Sequence, residues 1–184
     1  MRYAVCVLLV LCACSAPPPK LETFNTVPEF TLTAETGQAF GSADLKGKIW
    51  IANFIFTTCM GPCPRMSNQM KQVQAATREL PDLRLVSFSV DPNNDTPEAL
   101  ADYAKRYGAA AGRWVFLTGA EATLHQLSMD TFMLGKVDGQ QMDHSTRFVL
   151  VDRQGRVRKY YATSEGFHIP DLVRDVKALL KEST

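Results

Sequence analysis

Ile49-Trp50-Ile51-Ala52-Asn53-Phe54-Ile55-Phe56 is an almost unbroken apolar run rich in β-branched and aromatic residues. It leads directly into Thr57-Thr58-Cys59-Met60-Gly61-Pro62-Cys63-Pro64. A run of that kind is the signature of a central strand buried on both faces. Pro64 is expected to open a helix, because a first-turn proline lacks only a donor that has no helical partner there. Met66, Met70, Val73 and Leu80 follow at helical spacing. Two thiols four positions apart therefore bracket the start of a helix at the carboxyl end of a strand, where α/β folds place their sites.

The same alternation continues on both sides. Before the run, Glu29 to Thr33 alternates as an edge strand would, and Thr36-Gly37 turns it. After the first helix, Leu85 to Val90 reads as the next strand. Thr96-Pro97 reads as an N-cap and first-turn proline. Leu100, Tyr103, Ala104 and Tyr107 lie on one face, and Gly108 stops that helix. Trp114 to Leu117 is a short strand, and Ala122 to Phe132 is helical. Phe148 to Val151 and Val157 to Tyr161 form a hairpin around Asp152-Arg153-Gln154-Gly155. Pro170 opens a last helix carrying Leu172, Val173, Val176, Leu179 and Leu180. The fold class is α/β, with a central mixed sheet and helices on both faces.

The amino terminus lies outside that fold. Arg2 and the apolar stretch Ala4 to Leu11 form a signal-peptide core, too short to span a bilayer. Leu11-Cys12-Ala13-Cys14 resembles a bacterial lipobox, in which Cys14 would be acylated and residues 1–13 removed. The alternative is ordinary secretory cleavage with Cys14 merely nearby. Residues 14–24 then form a tether whose SAPPPK string is stiff and polyproline-like. Residues 25–184 form one domain, which suits a chain of 184 residues and 46% hydrophobic content. Ser15 does not decide between inner and outer membrane. Of five cysteines, only Cys59 and Cys63 would remain as free thiols, in a periplasmic or other extracytoplasmic space where disulfides persist. A net charge of +1 gives no electrostatic case for nucleic acid.

A helix start favours negative charge and lowers thiol pKa, so Cys59 and Cys63 are read as reactive rather than structural. They can converge on one ion or form a disulfide. Soft thiolates select Cu(I), and imidazole suits either copper oxidation state. Structural zinc usually takes four ligands, and no fourth Cys or His accompanies these motifs. His125 and His168 are read as surface residues. Met66 and Met70 are read as core, leaving Met60, between the cysteines, as the methionine to test against a metal.

Three segments together carry a family resemblance. Phe56-Thr57-Thr58-Cys59 through Cys63-Pro64 resembles the CxxxCP motif of the Sco (SenC) family. Val90-Asp91-Pro92-Asn93-Asn94-Asp95-Thr96-Pro97 resembles its DPxxDTP segment, and Asp143-His144-Ser145 its histidine segment. Pro28 to Lys48 also resembles the opening hairpin shared with peroxiredoxins. The resemblance implies a thioredoxin-like fold with an N-terminal hairpin extension. It implies copper, as Cu(I) or Cu(II), held by Cys59, Cys63 and His144. It further implies delivery of copper to, or thiol reduction of, the binuclear site of cytochrome c oxidase subunit II or another cuproprotein, with a thioredoxin-like reductant as a possible second partner.

Asp143 is a candidate acceptor orienting His144, against a solvent-facing role. Asp91 stands between holding the loop near the site and ordinary turn chemistry. Asp95 is read as turn or capping chemistry. Three rival readings stand beside the chaperone. A thioredoxin-type thiol-disulfide oxidoreductase is disfavoured by CxxxC rather than CxxC spacing. Where thioredoxins carry a cis-proline, this chain has His144-Ser145-Thr146. A peroxiredoxin is disfavoured because Phe56 and Ala52, or Met60 and Phe56, stand where its Thr and Pro belong. A storage role without transfer is the third.

Overall fold

The computed structural model describes residues 21–133, 146–164 and 166–182. The expectations for residues 1–13, Cys14, the tether as far as Lys20, Asp143 and His144 fall outside them.

The run that opens the argument is strand β3 (Ile49–Ile55), and all seven of its residues are buried. The other strands are β1 (Thr31–Ala34), β2 (Ala39–Gly41), β4 (Leu83–Ser89), β5 (Trp114–Thr118), β6 (Arg147–Val151) and β7 (Val157–Ala162). They form one sheet in the order β2-β1-β5-β4-β3-β6-β7. β3, β4 and β5 run parallel; β1, β6 and β7 each join antiparallel to a neighbour. The sheet is mixed, as expected, and β1 and β2 are the opening hairpin, turned at Gly37 with φ 78°.

Alternate residues of β3 serve different layers. Ile49, Ile51 and Ile55 face a core closed by α1 (Pro62–Ala76), α2 (Pro97–Tyr107) and α4 (Ile169–Lys181). Trp50, Ala52 and Phe54 face the other side, with Phe88, Phe132, Leu124 and Leu127. There Phe54 stacks on Phe88 with centroids 5.0 Å apart, and the Phe132 ring packs edge-on against Trp50. Helix α3 (Glu121–Gln126) continues as a π-helical turn over Leu127–Thr131 on this face. No described helix is long and apolar enough to cross a membrane.

Helix boundaries follow the local chemistry. The Thr96 side chain accepts from the Ala99 N–H, Pro97 takes the first position, and Gly108 closes α2 in the left-handed region at φ 68°. Helix α1 begins at Pro62, two residues earlier than the sequence suggests, because Gly61 takes the N-cap and Pro62 the first helical position. Cys63 is therefore inside the first turn.

The amino-terminal segment is also fixed. Leu21 is buried. Arg158, itself buried, donates to the Leu21 and Glu22 carbonyls, at 2.8 Å each, and to Asp152 and Glu182. Leu21 therefore already packs against the domain whose start was expected near Asn25.

Candidate metal centre

The strand–loop–helix connection puts both sulfurs at the carboxyl end of the central strand. Cys59 is 9% exposed and Cys63 1%, and both are free thiols. Two of the first three residues of α1, Pro62 and Pro64, have no N–H, so Cys63 supplies the first-turn donor. That N–H, with the N–H of Gly61 and the Cys63 thiol, hydrogen-bonds the Cys59 sulfur. Burial pushes the Cys59 thiol up, but these donors together outweigh it and hold the thiol below its ordinary value. Cys63 moves the opposite way. Burial, then its donation to Cys59, pushes it up to about 12, and the negative charges of Cys59 and Asp95 add to the rise. A helix start was expected to lower both thiols. It does so for Cys59 alone, because Cys63 is too deeply buried to ionise readily.

Between them Met60 projects fully into solvent, at 99% exposure. Met66 and Met70 are buried in the helical stripe expected of them.

The two aspartates of the second motif differ. The Asp91 carboxylate accepts from Asn94 Nδ2 at 2.8 Å, while its carbonyl accepts from the Asn94 and Asp95 N–H groups, so it shapes the β4–α2 turn. Asp95 does not cap α2; Thr96 does. Its carboxylate is fully buried and accepts from the Thr57 N–H at 3.0 Å, Thr57 Oγ1 at 2.5 Å and Ser89 Oγ at 2.6 Å. It therefore fastens the cysteine loop to the end of β4. The sequence held a signal for this: with Thr96 already serving as N-cap, the adjacent aspartate is spare.

Among the described residues no three His, Cys, Asp or Glu side chains converge as a metal cluster. Two sulfur donors sit together, and the expected third, His144, lies outside the described residues, as does Asp143. His125 lies on α3, and His168 pairs with Asp171 on an exposed face at 3.3 Å. Two paired sulfurs are soft donors, which suit a soft monovalent ion.

Comparison with known proteins agrees with this geometry. The chain matches the SCO1/SenC family over residues 18–181. It is similar to the crystal structure of a SCO1/SenC family lipoprotein from Bacillus anthracis, at 35% identity and TM-score 0.77, covering 85% of this chain and 96% of that one. It is also similar to BsSco, described as a member of the Sco family of cytochrome c oxidase assembly proteins with a disulfide switch. There the identity is 32% and the TM-score 0.78, over 91% of this chain and 100% of that one. A relative from Stutzerimonas stutzeri named for copper binding is 32% identical over 143 residues, covering 73% of this chain and 68% of that protein. The fold is thus the thioredoxin-like α/β sandwich of these proteins, and the chain belongs to the SCO1/SenC family.

Proposed function

We propose that this protein is a copper metallochaperone, binding one copper ion through Cys59, Cys63 and His144 and passing it to the binuclear site of cytochrome c oxidase subunit II. The observation that carries the reading is the paired sulfurs at the start of α1, one of them held toward the thiolate form. Thiolate is the form that ligates copper. A site of three ligands leaves a position for a ligand of the acceptor, so the ion passes between proteins without becoming free. The names of the Stutzerimonas stutzeri and BsSco relatives support the cargo and the acceptor.

The place of action is extracytoplasmic, with Cys14 lipidated and residues 1–13 removed. The lipobox-like sequence and the lipoprotein relative from Bacillus anthracis support this.

The opposed shifts of the two thiols favour a second reading of the same site. Cys59, as thiolate, would attack an acceptor disulfide and form a mixed disulfide. Cys63 would then displace the acceptor thiolate, leaving Cys59–Cys63 oxidised and the acceptor reduced, with the attacking thiol's proton going to the leaving thiolate. A thioredoxin-like dithiol would restore the pair.

The test is copper stoichiometry of the reduced soluble domain, from Ser15 onward, in wild type and in Cys59→Ala, Cys63→Ala and His144→Ala. One ion per wild-type chain, with affinity lost in all three variants, is the expected result. No copper in wild type, or loss with the cysteine variants only, favours the exchange reading. Oxidation of Cys59 and Cys63 to a disulfide should abolish binding; tight binding by the oxidised protein would exclude this site.

A further inference from the structure

The loop between β3 and α1 carries Cys59 and leads into Cys63, yet beyond the donors on the Cys59 sulfur its own side chains do little to hold it. Helix α1 has no side-chain N-cap; Gly61 stands in that position. Backbone bonds secure the base, with the Cys59 N–H on the Phe56 carbonyl at 3.2 Å and the Val90 N–H on the Ile55 carbonyl at 2.9 Å. The side chain that grips the loop comes from elsewhere. Asp95 takes both donors of Thr57, two residues before Cys59, and the hydroxyl of Ser89. Ser89 in turn accepts from the Asp91 N–H at 3.0 Å, so the β4–α2 turn is bound into the same junction.

The choice of a carboxylate is informative. Asp95 is 0% exposed, and no Lys, Arg or His among the described residues lies within ion-pairing distance of it. Burying a charge without a counter-charge is costly. Three hydrogen-bond donors offset part of that cost.

We propose that Asp95 is a positioning residue for the metal site, setting through Thr57 the placement of the cysteine loop and so how readily Cys59 and Cys63 meet. The copper part of this rests on the metallochaperone reading; the meeting of the two sulfurs does not.

The test compares wild type with Asp95→Asn, Thr57→Val and Thr57→Ser. Asp95→Asn keeps the size but turns one of the two accepting oxygens into a donor, so the grip on Thr57 and Ser89 is loosened. Thr57→Val removes one donor, and Thr57→Ser restores it. Three quantities are measured: Cu(I) affinity by competition with a chromophoric chelator, the midpoint potential of the metal-free Cys59–Cys63 pair, and the thermal midpoint. Asp95→Asn is expected to lose about 10-fold to 100-fold in Cu(I) affinity, the range for groups supporting metal ligands. Its midpoint potential should become more positive, by about 30 mV for each tenfold change in the exchange constant. A loosened loop brings the two sulfurs together less often, which disfavours the disulfide. Thr57→Val should weaken Cu(I) binding in the same direction, and Thr57→Ser should match wild type. Unchanged affinity and potential in both Asp95→Asn and Thr57→Val would overturn the proposal, whatever the thermal midpoint does. If wild type takes up no copper, the metallochaperone reading fails and the potentials still decide the role of Asp95. If Asp95→Asn does not fold, the Thr57 pair decides it.

Discussion

Cys59 and Cys63 form one hydrogen-bonded sulfur pair and are driven in opposite directions, Cys59 toward thiolate and Cys63 toward thiol. The cause is depth and direction of donation. Cys59, the less deeply buried of the two, receives donors; Cys63 donates a hydrogen bond from inside the first turn of α1.

The asymmetry predicts selective chemistry. Iodoacetamide at neutral pH should modify Cys59 first and leave Cys63 largely unreacted. Cys63→Ser weakens the donor to Cys59, so the Cys59 thiolate absorbance at 240 nm should titrate at higher pH than in wild type. Equal labelling of both cysteines in the folded, reduced protein would contradict this.

It also predicts the pH dependence of stability. The lowered Cys59 value contributes stability that is present above the unfolded thiol value and is lost as pH falls through the folded one. The raised Cys63 value acts at the alkaline end. From about pH 8.5, where an unfolded thiol ionises, up to about 12, the unfolded chain releases a proton that the folded chain keeps. Stability should therefore fall as pH rises through that window, and Cys63→Ala should flatten the fall. Tyr103 and Tyr161, pushed up chiefly by burial, steepen it further at higher pH. Urea titrations at stepped pH would show the effect.

Met60 buries none of its side chain, so Met60→Ala should change folding stability by no more than about 0.5 kcal/mol. An unchanged thermal midpoint is expected. If Cu(I) affinity falls while the midpoint holds, the thioether contacts the ion.

Phe88 is fully buried between Phe30, Phe54, Trp50 and Phe132. Phe88→Ala should cost about 3–5 kcal/mol through lost burial and a residual cavity. The urea midpoint should drop with little change in slope.

Arg158→Ala leaves Asp152 buried without this partner and frees the Leu21 and Glu22 carbonyls. Breaking a buried ion pair typically costs about 3 kcal/mol or more. Limited proteolysis should then cut near Leu21 to Asn25 well before the wild-type chain is cut there.

Much of this was legible in the residues. The almost unbroken run Ile49 to Phe56 marked an interior strand, and Thr96, Pro97 and Gly108 marked both ends of α2. Cys59 and Cys63 stood out because a helix start gives thiols a purpose. The start of α1 was placed two residues late, since two prolines compete for the first turn and only the backbone shows that Pro62 takes it. The different fates of the two thiols were hidden, because depth of burial is a tertiary property. The grip of Asp95 on Thr57 was hidden for a related reason. A contact spanning 38 residues leaves no local pattern.

The pinning of Leu21 by Arg158 has a mechanical meaning. The amino-terminal segment pairs beside Val157, at the level where β3 begins, while the cysteine loop leaves where β3 ends, about 20 Å away along seven residues of strand. A load applied at Leu21 is therefore borne first by Arg158 and β7, which β6 separates from the strand that carries the cysteine loop.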